Sequence, residues 1–137
     1  MEIARRQHVA IVEDDRGFGL SLAALFESDG VATDFFPSAE SFFDRLDWAI
    51  YRCVVVDMML PGMNGMALCE HLSRDRYPPR MILMSGTAFA SRLDARLDQA
   101  AVRRVEKPFD PWLMCRDVHD MLGEDGPART SDGDAPA

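Results

Sequence analysis

Glu13 and Asp14 directly follow the apolar run Val9-Ala10-Ile11-Val12, Asp57 follows Val54-Val55-Val56, and Ser85 follows Met81-Ile82-Leu83-Met84. Lys107 comes just after the segment 102–106. Carboxylates gathered at one edge repel each other and are costly to hold together unless a cation neutralises them. Oxygen donors with no His or Cys cluster beside them suit Mg²⁺, or Mn²⁺ in its place, an ion that keeps several waters and takes few carboxylates. A carboxylate is also a nucleophile toward phosphorus, forming an acyl phosphate. Asp57 is the candidate, because it closes an apolar run where a solvated acid has no packing value. A phosphoryl group in transfer spreads negative charge over its equatorial oxygens, and a metal ion, the Lys107 ammonium and the Ser85 hydroxyl are the groups available to surround it. Gly86, next to Ser85, has no side chain to obstruct that group.

Each residue also has a plainer reading. Glu13-Asp14-Asp15 could simply open a helix, where acids are favourable. A lysine before proline is ordinarily a surface residue. What favours chemistry is the repetition of strand-end positions, since ligands of doubly wound sheets bind outside the carboxyl ends of the strands.

Those positions require a frame. Strand-like runs at 8–12, 32–36, 53–57, 81–85 and 102–106 alternate with helix-like runs at 18–28, 39–50, 65–75, 89–101 and 111–122. Five β-α repeats predict an α/β fold, a doubly wound parallel sheet with helices on both faces. The continuously apolar runs at 9–12, 54–56 and 81–84 predict central strands covered on both sides. Leu22, Leu25 and Phe26, and likewise Phe42, Phe43, Leu46 and Ile50, recur at helical spacing and give each helix one buried face. Gly30 is placed to end the first helix and Ser38 to cap the second. The turn Met58-Met59-Leu60-Pro61-Gly62-Met63-Asn64-Gly65 lies close to Asp57 and leads into the third helix.

At 137 residues, 47% hydrophobic and 28% charged, the chain suits one domain. We expect an N-terminal extension at 1–7, the domain at 8–122, and a disordered tail at 123–137 with four acids against Arg129 and no apolar side chain larger than alanine. The net charge of −8, without a basic stretch, argues against direct nucleic-acid binding. No apolar run reaches membrane length or forms a signal-peptide core, so a cytoplasmic location is expected. Cys53, Cys69 and Cys115 show no paired or ligand-type spacing and read as reduced, packed thiols.

The pieces Val12-Glu13-Asp14-Asp15, Val56 through Gly65, Met84-Ser85-Gly86 and Glu106-Lys107-Pro108-Phe109 make residues 8–122 resemble the receiver domains of two-component response regulators, of single-domain type. The resemblance implies a flavodoxin-like five-stranded sheet in the order 2-1-3-4-5. It implies Asp57 as phosphoacceptor, with Asp14 a direct metal ligand and Glu13 acting through water. The Met59 backbone carbonyl would complete the metal site. Ser85 would be the hydroxyl that moves toward the phosphoryl group, Lys107 would pair with that group, and the bond before Pro108 would be cis. A histidine kinase or histidine phosphotransfer protein is the implied donor, and slow autodephosphorylation the implied self-catalysed end of the signal. The implied output is a downstream protein target, or a second copy of the chain, on the surface formed by 89–101, 102–106 and 111–122. Asp15 falls outside the acidic pair and reads as a loop residue.

One position departs from the pattern. Three residues before Lys107, where the family usually has a Tyr or Phe that swings inward, stands Arg104. A guanidinium does not enter an apolar slot without an acidic partner, so Arg104 is expected to stay at the surface, with Asp94 and Asp98 on one face of the preceding helix as candidate partners. Two other functions remain open from sequence. An aspartate-nucleophile phosphatase would use the same Asp, Lys and Mg²⁺, but needs a second Asp where this chain has Met59. A protein-binding module that is never phosphorylated would not need the full set of acids, Ser and Lys. No output domain follows 122 in this sequence, which predicts a regulator acting through protein contacts, or, in a longer protein, a tail that begins a linker.

Overall fold

The computed structural model describes residues 8–45, 50–86 and 102–124. Its elements are β1 (His8–Val12), α1 (Arg16–Ser28), β2 (Ala32–Phe36), α2 (Ala39–Phe43), β3 (Cys53–Asp57), α3 (Gly65–Ser73), β4 (Arg80–Ser85), β5 (Val102–Glu106) and α4 (Pro111–Glu124). The five strands form one sheet in the order β2-β1-β3-β4-β5, with every adjacent pair parallel. The apolar runs that read as central strands are β1, β3 and β4, and each is buried along nearly its whole length.

Alternation along the strands sends side chains to two separate cores. Ala10, Val12, Val54, Val56, Met81 and Leu83 pack under Phe42 of α2 and Leu68 and Leu72 of α3. Val9, Ile11, Val55, Ile82 and Met84 pack under Leu22 and Phe26 of α1 and Met114 and Val118 of α4. Helices therefore cover both faces, and the burial of these aliphatic and aromatic side chains, each worth about 1.5–3 kcal/mol, holds the sheet as a rigid platform.

The helix boundaries follow from caps. Asp15 is the N-cap of α1, accepting from Phe18 N at 3.1 Å, so the helix starts at Arg16 rather than at 18. Gly30, at φ +86°, ends the approach to β2 in a conformation that side chains disfavour. Ser38 caps α2 in a reciprocal box with Ser41. The expected helix 39–50 is shorter than predicted. α2 stops at Phe43 with Asp44 as C-cap, and Arg45 reaches back to Asp34 of β2 at 3.5 Å and over the Tyr51 ring. α3 likewise ends at Ser73, ahead of Pro78-Pro79.

At the C-terminal end, the expected tail boundary at 123 moves. Met121 is buried in the core under α4, and the helix continues for residues 123 and 124 before the described segment ends. The expected extension at 1–7, the helix at 89–101 with Asp94 and Asp98, and the tail beyond 124 lie outside the described residues. The three cysteines are free and buried, and burial pushes the Cys69 thiol up to about 12, as befits a packed, inert side chain. Among the described residues, no helix is long and apolar enough to cross a membrane.

Candidate functional site

Beyond the strand ends, the backbone ladder continues and fixes the neighbouring positions. Asp57 stands opposite Met84 and Ser85 opposite Glu106 in the sheet register. Met58 N then donates to Met84 O at 2.8 Å, and Lys107 N donates to Ser85 O at 2.7 Å. The first residues after β3 and β5 are thus tied to β4, and the side chains of Asp57, Ser85 and Lys107 are held at one edge of the sheet.

Glu13 and Asp14, just after β1, complete the group. One carboxylate oxygen from each of Glu13, Asp14 and Asp57 lies within 4.8 Å of the others. Glu13 and Asp57 are 1% and 6% exposed, whereas Asp14 faces solvent. The Lys107 ammonium stands 3.3 Å from Asp57 Oδ1 and 3.4 Å from Glu13 Oε1. It also lies 4.7 Å from the centre of the Phe18 ring, which packs edge-on against Phe109.

These charges do not balance. Burial pushes Glu13 up to about 7, and the neighbouring Asp57 adds to that, while the Asp15 backbone N–H, donating to Oε2 at 3.1 Å, and the Lys107 ammonium act in the opposite sense. Among the described residues, Lys107 is the cation paired with Glu13 and Asp57, and with Asp14 beside them the cluster retains negative charge. An all-oxygen donor set with this surplus fits a hard divalent cation.

The end of β3 is also sterically tight. A Cβ on Gly65 would fall against the Asp57 carbonyl oxygen and 2.8 Å from Met58 Cα, so only glycine lets α3 start this close to the acid. Gly65 N donates to Met58 O at 3.0 Å, and Asn64 caps the helix by accepting from Ala67 N at 2.8 Å. Between Asp57 and this helix, Leu60 is buried, Gly62 adopts φ +72°, and the Met59 side chain is exposed. The Lys107–Pro108 peptide bond is cis.

The residues singled out from sequence divide accordingly. Glu13, Asp14, Asp57 and Lys107 converge, and Ser85 is 1% exposed at the adjoining end of β4. Arg104 is exposed on the edge strand β5, opposite Leu83 in the register. Asp15, read as a loop residue, lies outside the helix as expected, and there it also caps α1 and donates its N–H to Glu13. An acid directly before a helical run is an N-cap signal that could have revealed the first role. Phe18 had no such signal, since an aromatic residue in an amphipathic helix is ordinarily core.

Comparison with known proteins identifies the family and the fold. The family model described as "Response regulator receiver domain" matches residues 9–119. The chain is 27% identical over 125 residues to the transcriptional regulatory protein FixJ of Bradyrhizobium diazoefficiens, covering 91% of this chain and 61% of that protein. It is 32% identical over 135 residues to the transcriptional regulatory protein CseB of Streptomyces coelicolor, covering 95% and 55% respectively. The chain therefore spans little more than half the length of these curated relatives. Among solved structures, it is similar in fold to the receiver domain of the Francisella response regulator 1452, at 18% identity and a TM-score of 0.76 over 87% of this chain and 98% of that one. It is likewise similar to the BeF3-activated DrrB receiver domain, at 24% identity and a TM-score of 0.72 over 85% and 97%.

Proposed function

The chain belongs to the response regulator receiver domain family, and on that premise we propose that Asp57 is the residue that accepts the phosphoryl group. The observation that carries this reading is the 3.3 Å approach of the Lys107 ammonium to Asp57 Oδ1 at a strand end that also carries Glu13 and Asp14.

An Asp57 carboxylate oxygen attacks phosphorus in line with the leaving group. A new O–P bond forms as the donor's P–N bond breaks, the electron pair goes to the departing histidine nitrogen, whose ring is left neutral by a proton from solvent, and an acyl phosphate remains. Asp14, Asp57 and the Met59 carbonyl, with Glu13 beside them, are the groups that would hold Mg²⁺, and the ion would supply charge neutralisation for the phosphoryl oxygens. Mn²⁺ has the same donor preferences and could replace it. Lys107 offers a second cation already aimed at Asp57, and the Ser85 hydroxyl a neutral donor from the neighbouring strand. Water attacking the same phosphorus releases inorganic phosphate and ends the signal slowly. Met59, an exposed thioether two residues after Asp57, offers no proton for rapid hydrolysis of outside substrates.

Receiver domains work between histidine kinases and effector domains. For this chain we assign the donor to a histidine kinase or phosphotransfer protein in the cytoplasm, and the output to the surface of 89–101, β5 and α4, where a protein target or a second copy would bind. Arg104 on β5 takes the place of the usual aromatic residue there. Exposure of wild type and Asp57→Asn to a small phosphodonor, with Mg²⁺ and then with a chelator, tests the reading. Only metal-loaded wild type should gain one phosphoryl mass, and equal labelling of the variant would refute it.

A further inference from the structure

We infer that Glu40 is a positioning residue for the metal site, latching the loop that runs from Asp57 to α3. This rests on the proposed role of the Met59 carbonyl, which lies in that loop. The loop is secured at one end by Met58 N donating to Met84 O at 2.8 Å, and at the other by Gly65 N donating to Met58 O at 3.0 Å. Between these points the buried Leu60 side chain anchors the loop to the core, but the backbone carbonyls on either side of it can still swing unless the main chain is fixed as well. A carboxylate from a different part of the fold does so: Glu40 Oε2 accepts from Met63 N at 3.0 Å, across 23 residues of sequence.

The fit on both sides is close. Ser38 and Ser41 form the reciprocal cap that sets the first turn of α2, and Glu40 lies in that turn. Gly62 makes the loop's tight bend at φ +72°, and a Cβ there would come within 2.7 Å of Glu40 Oε2. Glycine at 62 thus allows both the bend and the approach of the carboxylate. The Met63 N–H holds the Glu40 carboxyl below the usual range for glutamate, so the acceptor is ionised at neutral pH. An ionised acceptor makes the stronger hydrogen bond. Groups that orient a metal's ligands without touching the metal influence affinity through that orientation.

Loss of free Mn²⁺ signal in electron paramagnetic resonance measures binding to the unphosphorylated full chain without relying on phosphorylation. Glu40→Ala should weaken Mn²⁺ binding by about tenfold, the low end of what such orienting partners contribute, because this one is exposed. Glu40→Gln keeps an acceptor oxygen and should stay within about twofold of wild type. Amide hydrogen exchange at Met63 should quicken in the alanine variant and not in the glutamine variant. Wild-type affinity in Glu40→Ala overturns the latch, and an equal loss in both variants overturns it in favour of a simple charge effect. If wild type itself fails to bind Mn²⁺, the metal site proposed above is wrong, an outcome distinct from failure of the latch alone.

Discussion

The Lys107 ammonium lies 3.3 Å from Asp57 Oδ1, although the two residues come from β3 and from the loop after β5, with β4 between them. The contact spans the sheet because both backbones are tied to β4 just past their strand ends. The same ammonium is 3.4 Å from Glu13, so a single lysine offsets charge from two buried acids. It can serve a phosphoryl group on Asp57 by exchanging one set of anionic oxygens for another.

Replacing Lys107 should therefore separate metal binding from signalling. Lys107→Ala should bind Mg²⁺ no more weakly than wild type, since the variant removes a positive charge beside the cluster. It should lose about 2–4 kcal/mol of stabilisation of the transferring group and the conformational response that follows phosphorylation. Calorimetric titration with Mg²⁺ and comparison of phosphorylated with unphosphorylated protein by NMR would check both halves. A variant that changes conformation like wild type removes Lys107 from the coupling route.

Glu13 should imprint a pH dependence on the metal-free protein. Its carboxyl rises from the ordinary 4.5 to about 7 in the folded state, so the folded chain holds a proton that the unfolded chain releases. The resulting stability is fully present below about pH 4.5 and is lost as pH rises through about 7, amounting to on the order of 3 kcal/mol. Urea unfolding in the presence of a chelator, for wild type and Glu13→Gln, should show this decline only in wild type. Parallel pH profiles would contradict it.

Gly65 supplies a steric test of the site's frame. Gly65→Ala places a methyl group against the Asp57 carbonyl oxygen and Met58 Cα, which are backbone atoms unable to rotate away. Forced overpacking of this kind costs about 1–3 kcal/mol, and the strand end carrying Asp57 should shift with it. A denaturation midpoint equal to that of wild type would mean that α3 can slide outward freely.

Arg104 tests the output surface. Arg104→Ala should accept the phosphoryl group as wild type does, because the side chain is exposed on β5, two positions before the strand end that carries Glu106. Its phosphorylation-dependent association, followed by sedimentation, should weaken, and the difference should shrink in high salt as charge interactions are screened. Arg104→Ala and Arg104→Phe both associating like wild type would make this residue a bystander.

The identity of the covered strands and the strand-end placement of Glu13, Asp14, Asp57 and Lys107 were legible in sequence because both depend on local signals, whereas the order β2-β1-β3-β4-β5 came only from the family resemblance. Continuous apolar runs identify the covered strands β1, β3 and β4, and a polar residue directly after such a run must lie at a strand end. Long-range contacts with no periodic signature were not legible. Glu40 meets Met63 across 23 residues, and Phe18 meets Lys107 through folding of the whole sheet. The end of α2 was misplaced because Phe42, Phe43, Leu46 and Ile50 keep helical spacing, while the Asp44 cap and the turn of Arg45 toward Asp34 interrupt it at Phe43. Asp15 was undervalued because its backbone N–H, rather than its side chain, supports Glu13.

Direct location of the adduct tests the central claim. Wild-type protein treated with a small phosphodonor and Mg²⁺, then reduced with borohydride, converts an aspartyl phosphate to homoserine, and peptide mass spectrometry identifies the position. Homoserine should appear at residue 57, and Asp57→Asn should yield none. Homoserine at position 14, at another aspartate, or equally in the variant would contradict the assignment of Asp57 as phosphoacceptor.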